Sequence, residues 1–375
     1  MNWPEWPSYD SDHEQAVLRV IRSNQLFAAR EVASFESEFK RFVGSRYAIG
    51  VGNATQGLQL ALAAQGIGSG DEVIVTPYSW ISSASCVLMQ NAIPVFVDIE
   101  PETFGICPDA LKKAITSRTK AVILVHVFGL CSKVEKIRDI CVQHSIALIE
   151  DGSHAHGARF KGKHLGSFGQ VGVFSLHQRK AISAGDGGIL CTDDSSIHEK
   201  VRRLRSFGDK QLSYNYRMTE FAAAIGRVGL ERLEQQNYVR RRNHEVLVDN
   251  LTSPRIQTVE AAEGVEPVFY SNLLIIHMVR QAQDRLLKAA NGAGIPLKRT
   301  WQPLNKHPHF ERVNMINQIA PWDAIPDSFV EPKLTRLMVS EKYQEHLLFE
   351  LDCHPLVNEQ LVADAARYLS KIIEE

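Results

Sequence analysis

Residues 147–192 read ALIEDGSHAHGARFKGKHLGSFGQVGVFSLHQRKAISAGDGGILCT, and three short runs inside them decide the fold. Ala147–Glu150, Val171–Ser175 and Gly188–Thr192 are apolar almost throughout and are bounded by Asp, Gly and Ser. Continuous rather than alternating hydrophobicity marks strands buried on both faces, as in a parallel sheet. Toward the N-terminus the same texture recurs at Tyr47–Val51, Glu72–Thr76, Pro94–Asp98 and Ala121–His126. The stretches between have helical spacing: Gln56–Ala64 is one, and Val134–His144, with Val134, Ile137, Ile140 and Cys141 on one face, is another. Strand–helix alternation at this spacing predicts an α/β domain with a mostly parallel seven-stranded sheet sandwiched by helices. Downstream, Thr219–Arg242 predicts one long helix, small and apolar first and charged later, able to bridge two domains. After Leu251 come a Thr-Ser-Pro break, a strand-like run Ser271–His277, a helix over Ala282–Ala290, a Pro-containing stretch Pro296–Pro308 and a closing helix over Glu359–Ile373. The expected division is a large domain over 1–250 and a smaller α+β domain over 251–375.

Composition excludes several classes. The 375 residues carry 42 Lys+Arg against 43 Asp+Glu, a formal net charge of −1, so bulk electrostatics offers nothing to nucleic acid. With 44% hydrophobic and 23% charged residues the chain is not disordered. The most apolar run, Ala121–Cys131, is about half the roughly 20 residues a membrane helix needs, and His126 interrupts it. The opening MNWPEWPSYDSD has neither a basic nor an apolar leader region, so a cytoplasmic protein is expected. Six scattered cysteines, none in a C-x-x-C pair, read as reduced core residues rather than a disulfide framework or a zinc site.

Four weak signals lie along one expected sheet edge. Gly50-Val-Gly-Asn-Ala-Thr-Gln-Gly57 follows a strand and opens a helix, but its spacing is not the dinucleotide G-x-G-x-x-G, and Leu58-Gln59 stands where a P-loop needs Lys-Ser/Thr. What survives is a helix N-terminus after a strand, with Thr55 near its first turn, that offers free N–H groups and a hydroxyl to a phosphate; the same segment equally serves as a plain capped helix. Asp151 ends the strand ALIED, where ligands of open α/β sheets gather, with His154 and His156 just beyond. These three lack any metal-ligand signature, and no metal is expected; the plain alternative is a capping Asp with two structural histidines. Ser175 ends the next strand, and Lys180 follows, between that strand end and the glycines Gly185, Gly187 and Gly188. An amine there is either a solvated charge or a desolvated nucleophile facing a cofactor. Trp80, just past EVIVT, is an aromatic plate at the same edge or a packing residue. No G-x-S-x-G elbow is present for serine hydrolase chemistry. Taken together the edge holds a phosphate site, a carboxylate, an amine and a ring, which is the set pyridoxal 5'-phosphate needs.

The block IEDGSHAHGARFKGKHLGSFGQVGVFSLHQRKAISAGDGGILCTDD, with GDEVIVTPYSWISSASCVL, IPVFVDIEPETF and NYRMTEFAAAIGRVGLERLE, resembles the DegT-type sugar aminotransferases, fold-type-I pyridoxal-phosphate enzymes. The resemblance runs from about residue 14 to 245 and more weakly beyond. It implies that Lys180 carries the cofactor as a Schiff base and that Asp151 pairs with the pyridine nitrogen. It further implies that Trp80 stacks on the ring, that Ala54, Thr55 and Ser175 hold the phosphate, and that Asn215 reaches the phosphate from a neighbouring subunit. A homodimer with shared sites follows from that last role. Three positions depart from the family's habit. Ala54 stands where Gly is common, and Arg179 where Thr or Ser is usual. His154, near the ring oxygen, replaces Gln, as in the aminohydroxybenzoate synthase branch. Retention of Lys180 sets the chain apart from the dehydratase branch, in which histidine replaces it.

The resemblance implies transfer of an amino group from glutamate or glutamine to a keto-sugar, most commonly a nucleotide-linked 4-keto-6-deoxy sugar. The alternative within the class is amination of a keto-cyclitol (an inosose), which WPEWPSYD, Tyr78-Ser-Trp80 and Gln178 also resemble. The rival from another class is a non-catalytic binding or regulatory protein on the same fold. Trp301, His307, His309 and His354 either shape the substrate pocket or simply pack.

Overall fold

The seven apolar runs pair side by side. In the computed structural model, which describes residues 1–207, 212–310, 335–346 and 348–374, they are β1 (Tyr47–Val51), β2 (Glu72–Val75), β3 (Ile93–Phe96), β4 (Thr119–Val125) and β5 (Ala147–Asp151). After a ribbon of β6 (Arg159–Phe160) and β7 (Lys163–His164) come β8 (Val171–Ser175) and β9 (Gly188–Thr192). Their order across the sheet is β1-β9-β8-β5-β4-β2-β3. The pairs from β8 through β3 are parallel, and only β9 runs against its neighbours β1 and β8. Helices α1 (Ser11–Ser23), α2 (Arg30–Val43), α3 (Ala54–Ala64), α4 (Ser82–Met89), α5 (Pro108–Ala114), α6 (Val134–Gln143), α7 (Ser195–Arg205) and α8 (Glu220–Asn250) accompany this sheet. The layering explains the continuous hydrophobicity: Ile123 of β4 and Ile149 of β5 enter one core cluster, whereas Val122, Leu124 and Leu148 of the same strands enter another on the opposite face. One glycine is demanded by close approach. A Cβ on Gly172 would lie 1.9 Å from the Gly166 carbonyl oxygen, so only glycine lets the 161–170 connection lie against β8.

The second sheet is antiparallel. Its strands are β10 (Ile256–Thr258), β12 (Asn272–Ile276), β13 (Lys298–Arg299) and β14 (Leu348–Leu351), in the order β10-β12-β14-β13, while β11 (Val265–Glu266) joins the ribbon through β6. Its core is formed by Leu274, Ile276, Phe349 and Leu351 with Leu286 of α9 (Arg280–Gly292) and Leu369 of α11 (Glu359–Glu374); α10 (Met338–His346) precedes β14. Helix α8 is capped by the Thr219 side chain, which accepts the Ala222 N–H, and it runs 31 residues to Asn250. It therefore extends past Arg242, the end expected from the sequence. The reason is tertiary: Leu233 enters a core beside the large sheet, while Val246 and Leu247 enter the core of the second sheet. Most other expected elements shift by one or two residues at their ends, as helix and strand termini commonly do.

One charge sits inside the apolar layer. Glu150 on β5 is fully buried and accepts from His126 Nε2 (2.8 Å) and from the N–H groups of Gly166 (2.8 Å), Phe168 (2.6 Å) and Gly169 (2.7 Å). Burial pushes its carboxyl up, but the His126 ring and the glycine N–H groups outweigh burial and hold it below the usual carboxylate range. Glu150 thus ties the 164–170 loop and β4 to the strand that ends in Asp151. Replacing it with Leu strands three N–H donors and should lower unfolding free energy by about 3–5 kcal/mol, read by urea titration. Glu150→Gln, which keeps the acceptor, should cost about 1–3 kcal/mol. A loss below about 1 kcal/mol for the leucine variant contradicts this role.

Candidate active site

The parallel strands deliver their ends to one edge, and three connections meet there. At the first, the Asn53 side chain caps α3 by accepting the Gln56 N–H (3.0 Å), which leaves the Ala54 and Thr55 N–H groups in the first turn facing outward along the helix axis. Thr55 Oγ1 donates to Ser82 Oγ (2.8 Å), tying the start of α3 to the start of α4. Ser175, at the end of β8, is paired across the sheet with Gly188. A Cβ on Gly188 would lie 2.6–2.9 Å from Asn53 and Ala54 backbone atoms, so this glycine lets β9 press against the helix start. Ser175 Oγ accepts the His177 N–H (3.2 Å) and is otherwise a hydroxyl at the same helix end.

The second connection follows β5. Asp151 is buried; its Oδ2 accepts from Ser83 Oγ (2.7 Å), and its Oδ1 accepts the Ser153 N–H (3.1 Å). Ser83 in turn shares a hydrogen bond with Ser79 (2.8 Å). Trp80 lies between these two serines in the chain and is 59% exposed, a large ring presented to solvent at this edge.

The third connection carries Lys180. The residue is half-buried as a whole, and its amine is the interior end. Burial pulls the amine down to about 8; Asp151 and Glu350 oppose this and Arg179 assists it. Among the described residues Lys180 forms no ion pair. Its Nζ lies 5.1 Å from the centroid of the Tyr270 ring, and Tyr270 stacks on His154 (4.2 Å, 9° between planes). His154 Nδ1 accepts the Phe128 N–H (3.2 Å). Burial, and then the neighbouring Lys180 charge, hold the His154 ring well below the usual imidazole range, so it is neutral. The same two causes take His156 down to about 3. Phe128 stacks on Trp301 (5.0 Å, 17°), which closes an aromatic wall over the amine.

A buried amine drawn down to about 8, a buried carboxyl at a strand end, and a helix N-terminus flanked by hydroxyls form one edge. The sequence profile of the DegT/DnrJ/EryC1/StrS aminotransferase family matches residues 7–345. The chain belongs to that family. It is 29% identical, over 99% of its length and 94% of the relative's, to an L-glutamine:2-deoxy-scyllo-inosose aminotransferase of Streptomyces kanamyceticus. It is 30% identical to the GDP-perosamine synthase of Vibrio cholerae over 82% of this chain and 86% of that one. Among solved structures, 3-amino-5-hydroxybenzoic acid synthase superposes with a TM-score of 0.89 at 26% identity, over 100% of this chain and 99% of that one. The protein is thus a pyridoxal-phosphate-dependent aminotransferase of fold type I.

The residues present fit that cofactor. A phosphate has the uncapped N–H groups of Ala54 and Thr55 and the hydroxyls of Thr55 and Ser175; a pyridinium nitrogen has Asp151; an aldehyde carbon has an amine that burial draws down to about 8. The structure brings Ala54, Thr55, Asp151, His154, Ser175 and Lys180 to one edge, with Trp80 exposed at its rim. Asn215 is also exposed. Its neighbours Tyr214 and Tyr216 turn inward, stack on each other (4.7 Å), and bond Gln90 (3.0 Å) and Gln59 (2.9 Å), so the alternation of an extended segment sends Asn215 the other way. Trp301 belongs to the aromatic wall. His354 is buried and reaches the Pro4 carbonyl (3.0 Å), whereas His307 and His309 contact each other near the surface. Sequence reasoning missed Ser83, which fixes Asp151, and Tyr270, which sits beneath the amine; neither lies in a run with a chemical pattern.

In protein stripped of cofactor, labelling of Lys180 by an amine reagent, followed by mass spectrometry, should rise with pH through a midpoint near 8, because only the uncharged amine reacts. A midpoint near the ordinary lysine value of about 10.4 contradicts a desolvated placement.

Proposed function

We propose that this aminotransferase takes its amino group from glutamine and delivers it to a polyhydroxylated cyclic ketone, a keto-cyclitol of the inosose kind. The carrying observation is the near full-length similarity to the Streptomyces kanamyceticus enzyme, which spans both sheets and the site between them. Similarity to a GDP-perosamine synthase supports the second reading, a nucleotide-linked 4-keto-6-deoxy sugar as acceptor. A cytoplasmic setting suits either reaction. Residues 1–250 would hold the cofactor, and 251–375 would close the acceptor side.

When bound, pyridoxal phosphate supplies the electron sink that stabilises a carbanion. Ala54, Thr55 and Ser175 would hold its phosphate at the start of α3, with no Cβ from Gly188 in the way. Asp151, fixed by Ser83 and Ser153, would keep the ring nitrogen protonated. Lys180 would hold the cofactor until an incoming amine releases it, then take the proton from the amine-bearing carbon of the donor as general base. An amine near 8 suits that task, since it can both accept and return a proton near neutral pH. His154, neutral and without a charge to offer, would shape the ring-oxygen side through its Phe128 and Tyr270 contacts. Trp80 would face the cofactor ring from the rim. The exposed Asn215 would serve the site of a second copy.

Incubation with glutamine and each ketone, followed by identification of the amine formed, tests the acceptor. Amination of scyllo-inosose or its 2-deoxy form but not of GDP-4-keto-6-deoxymannose is expected; the reverse outcome selects the second reading, and turnover of neither overturns both. Asp151→Asn should keep bound cofactor while kcat falls by about 10²-fold or more, in either acceptor's assay. Shared sites have their own test. Lys180→Ala and Asn215→Ala proteins, each inactive or nearly so, should regain about a quarter of the wild-type activity when unfolded and refolded together, because half the dimers are mixed and each has one intact site. No recovery on mixing contradicts shared sites.

A further inference from the structure

The loop that presents Lys180 is stitched mostly to itself. Leu176 N–H bonds the Gly187 carbonyl, Gln178 N–H bonds the Gly185 carbonyl, Ala184 N–H bonds the Leu176 carbonyl, and Lys180 N–H bonds the His177 carbonyl. Ala181, Ile182 and Ala184 pack in the core beside α8, and two side-chain hydrogen bonds reach the loop from residues 174 positions away. The Trp6 indole Nε1 donates to the Lys180 carbonyl (3.3 Å), and the Tyr9 hydroxyl meets Ser183 Oγ (2.8 Å), which itself donates to the Gln178 carbonyl (2.7 Å). The segment bearing Trp6 and Tyr9 is fastened at its other end to the second sheet. Trp3 Nε1 donates to the Asp352 carbonyl (3.1 Å), and the Pro4 carbonyl meets His354 Nε2 (3.0 Å).

Trp6 reaches the lysine by a second route. Its ring lies 5.1 Å from the Arg240 guanidinium carbon and 5.6 Å from the His354 ring. Arg240 is 1% exposed, an extreme for the residue type, and lies 3.6 Å from the Asp352 carboxylate. Its Nη1 donates to the Tyr270 carbonyl (3.4 Å), and the Tyr270 ring lies under the Lys180 amine (5.1 Å). The contacts close a ring: Trp6 to Lys180 backbone, Trp6 to Arg240, Arg240 to Tyr270, Tyr270 to Lys180 Nζ.

We propose that Trp6 is a positioning residue for Lys180, fixing the lysine from both ends: directly at its backbone carbonyl, and through Arg240 and Tyr270 at its amine. The strap 3–9 thereby couples the second sheet, through Asp352 and His354, to the reacting amine. This rests on Lys180 as the cofactor-bearing residue. A lysine side chain has four rotatable carbons, and about 1 Å of misplacement at a reacting atom can cost 10²-fold in rate, so a brace at each end has a kinetic consequence. The hydrogen bond and ring contacts of Trp6 go to Lys180, Arg240 and His354, and not to the charged and titratable groups around the amine, Asp151, Glu350, Arg179, His154 and His156. A shift in the lysine's behaviour therefore reports its position and solvation.

Trp6→Phe keeps a ring over Arg240 and removes the N–H; Trp6→Ala removes both. Labelling of Lys180 in cofactor-free protein across pH is the primary readout. The midpoint should rise by about one pH unit in Trp6→Ala and by less in Trp6→Phe, as loosening admits water to the amine. With cofactor and glutamine, kcat of the donor half-reaction should fall about tenfold in Trp6→Ala while KM for glutamine stays within about twofold. Glu5→Ala, an exposed neighbour on the same strap, should match wild type in both. Should Trp6→Ala fail to fold, Trp6→Phe carries the test. Folded variants whose midpoints lie within about 0.2 of wild type overturn the proposal. The labelling assay contains no ketone, so its failure leaves the acceptor assignment standing. A wild-type Lys180 that labels only in the ordinary lysine range would instead overturn the underlying reading of the site.

Discussion

An amine kept out of water and, among the described residues, left without a counter-ion is the constraint around which this protein is arranged. Lysine in water is an ammonium and neither a nucleophile nor a base near neutral pH. Burial alone draws Lys180 down to about 8, with Asp151 and Glu350 near enough to oppose that but not paired with it. A direct ion pair would restore the charge and remove the chemistry. The amine meets the Tyr270 ring, which stacks on His154 in a cluster with Phe128 and Trp301, and none of these rings supplies a carboxylate. His154 is part of the same solution, since its neutral imidazole adds no charge beside the lysine.

The sheet serves that constraint. Parallel strands bring β2, β5 and β8 to one edge, so residues from positions 80, 151 and 175 become neighbours of a helix start at position 54. The reversed strand β9 returns the chain past that helix start, and Gly188 makes the close passage possible. Beneath the edge, Glu150 holds four donors in the interior, so the strand ending in Asp151 does not shift. Asp151 is then oriented by Ser83 rather than by an ion pair with any described residue.

Much of this was legible in the sequence, and the reasons are local. β1, β8 and β9 were readable to the residue, because a strand buried on both faces has no polar positions to confuse its bounds. Asp151, Ser175 and Lys180 were readable because each sits within a few residues of such a strand end. The sequence pattern ends α8 too early, at Arg242, since its last turns are held by Val246 and Leu247 in a core assembled from residues far along the chain. Ser83, Tyr270, Arg240 and Trp6 escaped for the same kind of reason. Their roles come from hydrogen bonds across 30 to 174 positions, and no periodicity or spacing encodes such contacts. Among the described residues no helix is long and apolar enough to cross a membrane, in keeping with the shortness of the Ala121–Cys131 run.

The central claim is that Lys180 is the amine that carries the cofactor. Its most direct test is borohydride reduction of the holoenzyme, proteolysis, and mass mapping of the fixed pyridoxyl group. The expected result is a single adduct on Lys180, with loss of the visible absorbance. An adduct on any other lysine, or retention of covalent cofactor by Lys180→Ala, would contradict the account.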